Sequence, residues 1–304
     1  MMPKPCGVIS YHTDPITCGV ARFNIGLAAA FNVPVIGFDK WIGSDEEQPL
    51  LLSLKPSEIS ATDLRRTMEK LGTSMIAFSA FLHEFENTPL EQLILRSARR
   101  VVAVDRLIAA KAKLIRNEVV EGFAPGANFE IIEEFIGVRL LSLGMAHKLN
   151  GEMFGLLSKL LERESRSIEL RVSTAVHEGF AIGESFAHVT DLIKKNWTLP
   201  VKFLGFISDV MLGEELAKAH AVVILPMQSA RESNSSILGA MRSGKPVITW
   251  LDENSPSWMV HQETVFDVNS MSTFPSRSEL VAVGSRAASV CSDFDFASLK
   301  DLFL

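Results

Sequence analysis

Cysteine is scarce and scattered: Cys6, Cys18 and Cys291 lie far apart, and no C-x-x-C pair occurs. That spacing supports neither a disulfide framework nor a zinc site. No run of about 20 apolar residues is present, so no segment is expected to span a bilayer. The opening MMPKPCGVIS lacks a long apolar core ahead of a cleavage site, and a cytoplasmic location is the expectation. Positive charge is not in excess, with 30 Lys and Arg against 36 Asp and Glu and a net charge of −6. That balance argues against nucleic acid as a general partner. No G-x-G-x-x-G follows the first candidate strand, which weighs against a nucleotide-cofactor oxidoreductase.

What is present reads as an ordinary globular balance, 47% hydrophobic and 22% charged. The 304 residues exceed the usual size of one core, and two units of roughly 150 fit the general prior. A chain this long buries about three quarters of its unfolded surface and needs no covalent staple.

The most informative stretch runs from Val201 to Trp250. Val201–Leu204 is a short apolar strand, and Ser208 or Asp209 can cap the helix through Glu214, Glu215 and Leu216. Ala221–Leu225 is an unbroken apolar run stopped by Pro226, the pattern of a strand covered on both faces. The polar segment Arg231–Ser236 follows, then a helical face of Ile237, Leu238 and Met241. Gly244 ends that helix, Pro246 prevents its continuation, and Val247–Trp250 is the next strand. The polar segment therefore sits at the carboxyl end of a buried strand and the amino end of a helix. Open α/β sheets bind ligands at that edge, and N–H groups there attract anions. Ser233, Asn234, Ser235 and Ser236 form either an anion site or an ordinary helix cap.

The order of this stretch resembles the donor-binding domain of GT-B glycosyltransferases, particularly the retaining family-4 type. Val201, Phe203, Gly205, Ala221, Val223, Leu225, Pro226, Ala240, Met241, Gly244, Pro246 and Val247 carry the likeness. The family's two acids, spaced Glu-x7-Glu, are absent. Arg231 stands at the first and Gly239 at the second, with Glu232 one place late. Ser-Asn-Ser replaces the Phe-Gly segment whose backbone meets the donor in the family.

In the first half, Gly7–Tyr11, a helix over Ala21–Phe31 and a strand over Val33–Phe38 form a β-loop-α-β opening. The resemblance puts a Gly-Gly loop near donor phosphates here, and Cys18-Gly19 retains half of it. Ser74–Phe81 reads as a strand running into His83 and Glu84. A His at a strand's carboxyl end is either on the functional edge or a structural His; the resemblance implies contact between His83 and the donor sugar. From Arg96 to Arg116 there are seven Lys and Arg residues against the single acid Asp105. This is either a solvated face or a surface for anionic lipid or an acidic acceptor.

Gly122–Phe135, with Pro125, two glycines and several acids, reads as the linker between domains. The boundaries expected are 1–130 and 131–304. Val138–Leu143 then opens a second sheet, followed by Gly144, His147 and Lys148. The resemblance implies that Gly144 and Lys148 face the donor diphosphate, with Met145 where the family has Arg. It also places His177 and Glu178 near the nucleotide base or ribose. Asp293-Phe-Asp295 superficially matches a D-x-D metal motif, but its place before a terminal helix makes it a cap.

The fold expected is α/β: two Rossmann-like domains facing across a cleft, as in GT-B enzymes. The function implied is transfer of a sugar from a nucleotide-sugar donor to an unidentified saccharide, lipid or protein acceptor, with retention and without metal. No cofactor is expected, the nucleotide sugar being a substrate, and a weak membrane-surface contact is a further expectation. The site residues are His83, Lys148, Arg231 and Glu232 for catalysis, with Gly19, Gly144, His177 and Ser233–Ser236 binding the donor. A sugar-nucleotide epimerase of the same shape and a non-catalytic nucleotide-sugar binding module are the alternatives.

Overall fold

A computed structural model describes residues 4–14, 18–44, 49–73, 77–125, 137–174 and 182–303. The chain divides into two units, Met1–Pro125 with Asp295–Leu304, and Gly126–Phe294.

In the first unit the order is β1 (Gly7–Ser10), α1 (Gly19–Phe31), β2 (Val35–Gly37), α2 (Phe38–Ile42), β3 (Leu50–Leu54), α3 (Ala61–Thr73), β4 (Phe78–Leu82), α4 (Pro89–Ser97), β5 (Arg100–Ala103), α5 (Arg106–Lys113) and β6 (Val119–Glu121). The strands form one parallel sheet in the order β2-β1-β3-β4-β5-β6. Successive strand residues alternate between two apolar layers. Leu50, Leu52 and Leu54 of β3 join one layer with Leu90, Ile94 and Ala109, whereas Leu51 joins the other with Phe23, Leu27 and Phe31. Burial on both faces is why these strands read as continuous hydrophobic runs.

The second unit continues with β7 (Val138–Gly144), α6 (Gly151–Leu161), β8 (Ile168–Thr174), α7 (Ile182–Asn196), β9 (Val201–Gly205), α8 (Asp209–Lys218), β10 (Ala221–Val223), α9 (Ser235–Arg242), β11 (Val247–Thr249), β12 (Phe266–Asp267) and α10 (Arg277–Val290). Its parallel sheet runs β12-β11-β10-β7-β8-β9. Ser208 caps α8 by accepting from the Met211 N–H at 3.3 Å. Gly244 adopts φ +71° as the chain leaves α9, a left-handed conformation that favours glycine.

The last helix, α11 (Phe296–Asp301), belongs to the first unit. The sequence-based boundary assigned it, with everything after residue 130, to the second. Phe296 lies over Gly26 of α1, where an added Cβ would come within 2.3 Å of the ring. Phe303 meets Phe31 edge-on at 5.8 Å. Asp295 caps α11 by accepting from the Ser298 N–H at 2.7 Å, the role expected of that acid. The strand expected over Val33–Phe38 is shorter, since Phe38 and Trp41 turn inward on α2 and are buried there. Of the linker expected over Gly122–Phe135, residues 122–125 belong to the first unit and the rest lie outside the described residues.

Candidate active site

Each sheet has one point where the strand order reverses, the place at which open α/β sheets form a crevice at their carboxyl edge. In the second unit that point lies between β7 and β10, because β8 continues to one side and β11 to the other. The chain leaves β7 at Gly144, whose φ of +144° favours glycine and where a hypothetical Cβ would come within 2.9 Å of Leu149 Cδ2. A single 3-10 turn, Ala146–Lys148, follows and leaves Lys148 exposed. Asn150 then caps α6, accepting from the N–H groups of Glu152 and Met153 at 3.1 and 3.3 Å.

The loop after β10 is stitched to this turn by main-chain bonds. Leu149 and Pro226 form an antiparallel bridge. The Asn150 N–H donates to Leu225 O at 2.8 Å, and the Met227 N–H donates to Lys148 O at 2.7 Å. Trp250 Nε1 donates to Pro226 O at 2.6 Å from the adjoining strand end. The Lys148–Asn150 segment and the residues just after β10, far apart in sequence, are thus joined, and the Gly144–Lys148 turn and the polar loop follow paired strands on one sheet edge.

The polar loop is not an ordinary cap. Asn234 occupies the position before α9 but makes no side-chain cap bond. Its Oδ1 instead accepts from the Arg231 N–H at 3.0 Å. Ser235 and Ser236 are exposed, and Ser233 and Asn234 are half-buried. Asn234 thus gives the first turn of α9 no side-chain acceptor, the Ser235 N–H donates to Ser233 O at 3.1 Å, and the helix dipole puts positive charge at this end.

Arg231 does not serve as an open cation. It is 7% exposed, and its Nη1 and Nη2 pair with the two carboxylate oxygens of Asp252 at 3.0 and 3.2 Å. It also donates to Ala230 O at 3.0 Å, Ser255 Oγ at 3.4 Å and Ser229 Oγ. Burial raises the Asp252 pKa, but hydrogen bonds from Ser229, Arg231 and the Asn254 N–H outweigh it and hold the carboxyl below its ordinary value. Arg231, expected to stabilise a leaving diphosphate, thus has its charge paired with Asp252 and is largely shielded from solvent. Glu232, beside it, is half-buried, and Gly239 is buried within α9. His177 and Glu178 lie outside the described residues.

In the first unit the reversal falls between β1 and β3. His83 directly follows β4 and is half-buried, edge-on to Phe23 at 5.0 Å and Phe81 at 4.9 Å. Its Nε2 lies 2.9 Å from Ser53 Oγ. Burial pushes the imidazole pKa down to about 3, with Glu58 opposing and Lys55 adding to the shift. His83 is neutral at ordinary pH. Glu84 accepts from the Ser57 N–H and hydroxyl at 2.6 and 2.7 Å, while Lys55 bridges Glu58 at 2.8 Å and Glu84 at 3.9 Å. Gly19 opens α1 with no atom within 4 Å of a hypothetical Cβ, and Cys18 before it provides no side-chain cap.

Sequence reading missed Asp252, Ser229, Ser53 and Asn24. Single buried polar residues inside apolar runs carry no periodic signal, and Asp252 declares itself only through its partner. Among the described residues, no three His, Cys, Asp or Glu side chains assemble as a metal site. No helix among them is long and apolar enough to cross a membrane.

No family model matches the sequence, and no curated protein matches it. Solved structures do. Sucrose-phosphate synthase from Thermosynechococcus elongatus superposes with a TM-score of 0.68 at 13% identity, covering 99% of this chain and 97% of that one. A glycosyltransferase from Rickettsia africae ESF-5 gives 0.64 at 12% identity, covering 99% and 97%. An α-glucosyltransferase in complex with UDP and a 13-mer DNA gives 0.59 at 12%, covering 95% and 94%. The two parallel six-stranded sheets with flanking helices are the GT-B glycosyltransferase fold.

Proposed function

We propose that the protein is a glycosyltransferase that moves a sugar from a nucleotide-sugar donor to a saccharide, lipid or protein acceptor. The placing of the Gly144–Lys148 turn and the start of α9 after the paired strands β7 and β10 carries this reading. Departure of a nucleoside diphosphate places growing negative charge on phosphate oxygen. A lysine and a helix amino terminus held in advance at that spot lower the barrier without reorganising. Lys148, Ser233, Ser235, Ser236 and the α9 N–H groups take the diphosphate, with Gly144 allowing close approach. His83 meets a sugar oxygen as a neutral ring. Retention at the anomeric carbon rests on the family-4 resemblance of Val201–Val247. Metal independence rests on Lys148 and the helix end doing a divalent ion's electrostatic work. A cytoplasmic site of action fits the absence of a disulfide among the three cysteines. A weak contact with anionic lipid is part of the same reading.

The Arg231–Asp252 pair favours one second reading, a nucleotide-sugar binding module, because a neutralised pair stands where an acid was expected. Incubation with a panel of nucleotide sugars, followed by assay for released nucleotide, separates the readings. Release or transfer supports the enzyme, interconversion of the sugar supports an epimerase, and tight binding without turnover supports the module.

A further inference from the structure

We infer that Ser53 fixes His83 in its Nδ1–H tautomer, making the ring a permanent, uncharged hydrogen-bond donor to a ligand oxygen. The ligand half of this inference rests on the transferase reading; the tautomer does not.

Ser53 lies in β3, one strand over from the end of β4 that carries His83, with Ser53 paired to Phe81 in register. It is wholly buried. Among the described residues its Oγ has one hydrogen-bond partner, His83 Nε2 at 2.9 Å. A serine hydroxyl carries one proton and must find it an acceptor when no water is near. Were Nε2 the protonated nitrogen, the Ser53 hydroxyl would accept, and its own proton would be buried without a partner, which is disfavoured. The arrangement that satisfies both groups has Ser53 donating to an unprotonated Nε2. The ring proton then sits on Nδ1, which has no protein acceptor among the described residues.

The support behind Ser53 is equally buried. Asn24 of α1 is 0% exposed, and its Nδ2 donates to Ser53 O at 3.1 Å and to Ser10 Oγ at 2.7 Å. Ser10 in turn donates to His12 O at 2.5 Å. Three elements therefore hold Ser53 in place at the reversal point of the sheet. The charged groups acting on the ring are Lys55 and Glu58, and neither prevents burial from keeping it neutral. A donor that stays uncharged near neutral pH selects for hydroxyl, carbonyl or phosphate oxygen and against ammonium groups. Ser53 is thus a positioning residue, acting on substrate only through His83.

The direct test is long-range proton–nitrogen correlation NMR on the full chain with ¹⁵N-labelled histidine, with His83→Gln assigning the resonance. The expected result is a protonated-type Nδ1 and an unprotonated-type Nε2 from pH 7 down to pH 5, a mixture of tautomers in Ser53→Ala, and recovery in Ser53→Thr. In transfer assays Ser53→Ala should lose roughly two- to tenfold in kcat/KM, the scale of one neutral hydrogen bond, and Ser53→Thr should regain it. A dominant Nε2–H ring in the unmodified protein overturns the inference, and so does a tautomer unaffected by Ser53→Ala. An Nδ1–H ring in a protein that releases nucleotide from no nucleotide sugar upholds the tautomer and removes the transferase reading instead.

Discussion

The guanidinium of Arg231 and the carboxylate of Asp252 meet side-on, with paired contacts of 3.0 and 3.2 Å. Ser229 and Ser255 complete the cluster, and Ser229 Oγ donates to Asp252 Oδ1 at 2.5 Å. The pair joins the loop before α9 to the loop after β11, so it sets where the helix start lies.

Breaking this pair from one side leaves an unmatched charge in a site largely closed to water. Arg231→Met should therefore cost about 3 kcal/mol of stability, the lower end for a buried pair because the Asp252 side chain retains 26% exposure. Arg231→Lys should recover only part, since an ammonium cannot match both oxygens. The Asp252 carboxyl is held below its ordinary value, so its contribution is complete above about pH 4 and disappears as pH falls through the lowered value. Urea denaturation from pH 7 to pH 3 measures both, and a loss under about 1 kcal/mol in Arg231→Met would reduce the pair to a surface contact.

His83 gives a second acid sensitivity of distinct range. Its folded pKa of about 3 lies below the unfolded value of about 6.5. Between those values the unfolded chain binds the extra proton, so stability rises with pH across that window and is lost on acidification. His83→Gln should flatten the slope between pH 6.5 and pH 4. An unchanged slope in the variant would show that His83 is protonated in the folded protein.

Most of the fold was legible because its strands are buried on both faces and its helices are punctuated. The run Ala221–Leu225, the stop at Pro226 and the Gly244–Pro246 exit each carry local signals, and the elements follow them, although β10 ends at Val223, two residues before the run does. The return of α11 to the first unit was not legible, because Phe296 against Gly26 is a contact between distant segments with no local trace. The same limit applied at the site. The turn at Gly144 and the polar loop could be named, but the role of Arg231 depended on Asp252, whose position follows from strand order alone.

Metal removal tests the electrostatic assignment. With Lys148 and the α9 amino end serving the diphosphate, transferase activity should survive an excess of EDTA. Complete loss, restored by Mg²⁺ or Mn²⁺, would move the leaving-group chemistry to a metal.

The basic run divides into structural and surface residues. Arg100 donates to Leu302 O, Arg116 to the carbonyls of Leu95, Ala98 and Arg99, and Lys113 pairs with Glu121 at 3.0 Å. Arg100, within that run, is thereby engaged by the main chain of the carboxyl-terminal segment. Arg99 and Lys111 are exposed, and Leu114, one turn beyond Lys111, is 88% exposed. Under the proposed lipid contact, Lys111→Gln should weaken sedimentation with phosphatidylserine vesicles by about 1 kcal/mol. About 0.5 M salt, with a Debye length of roughly 4 Å, should largely abolish it. Equal behaviour with neutral and anionic vesicles would end the membrane reading.

The diphosphate assignment is the most exposed to test, because ligand affinity and stability respond separately. Lys148→Ala removes a charge-assisted contact worth about 1.5–3 kcal/mol, or roughly 10- to 150-fold in nucleoside-diphosphate affinity. Ser235→Ala and Ser236→Ala should each cost about 0.5–1.5 kcal/mol of binding, since the N–H groups of α9 remain. A capping serine would instead lose about 1 kcal/mol of stability and leave affinity intact. Neither serine caps α9, and both are exposed, so their thermal midpoints should stay near that of the unmodified protein. Binding of the nucleoside without phosphates should be indifferent to all three changes. Calorimetric titration and thermal unfolding on the same variants resolve the question. Unchanged diphosphate affinity in Lys148→Ala would remove the phosphate from the β7–β10 edge, and with it the physical basis for placing the donor there.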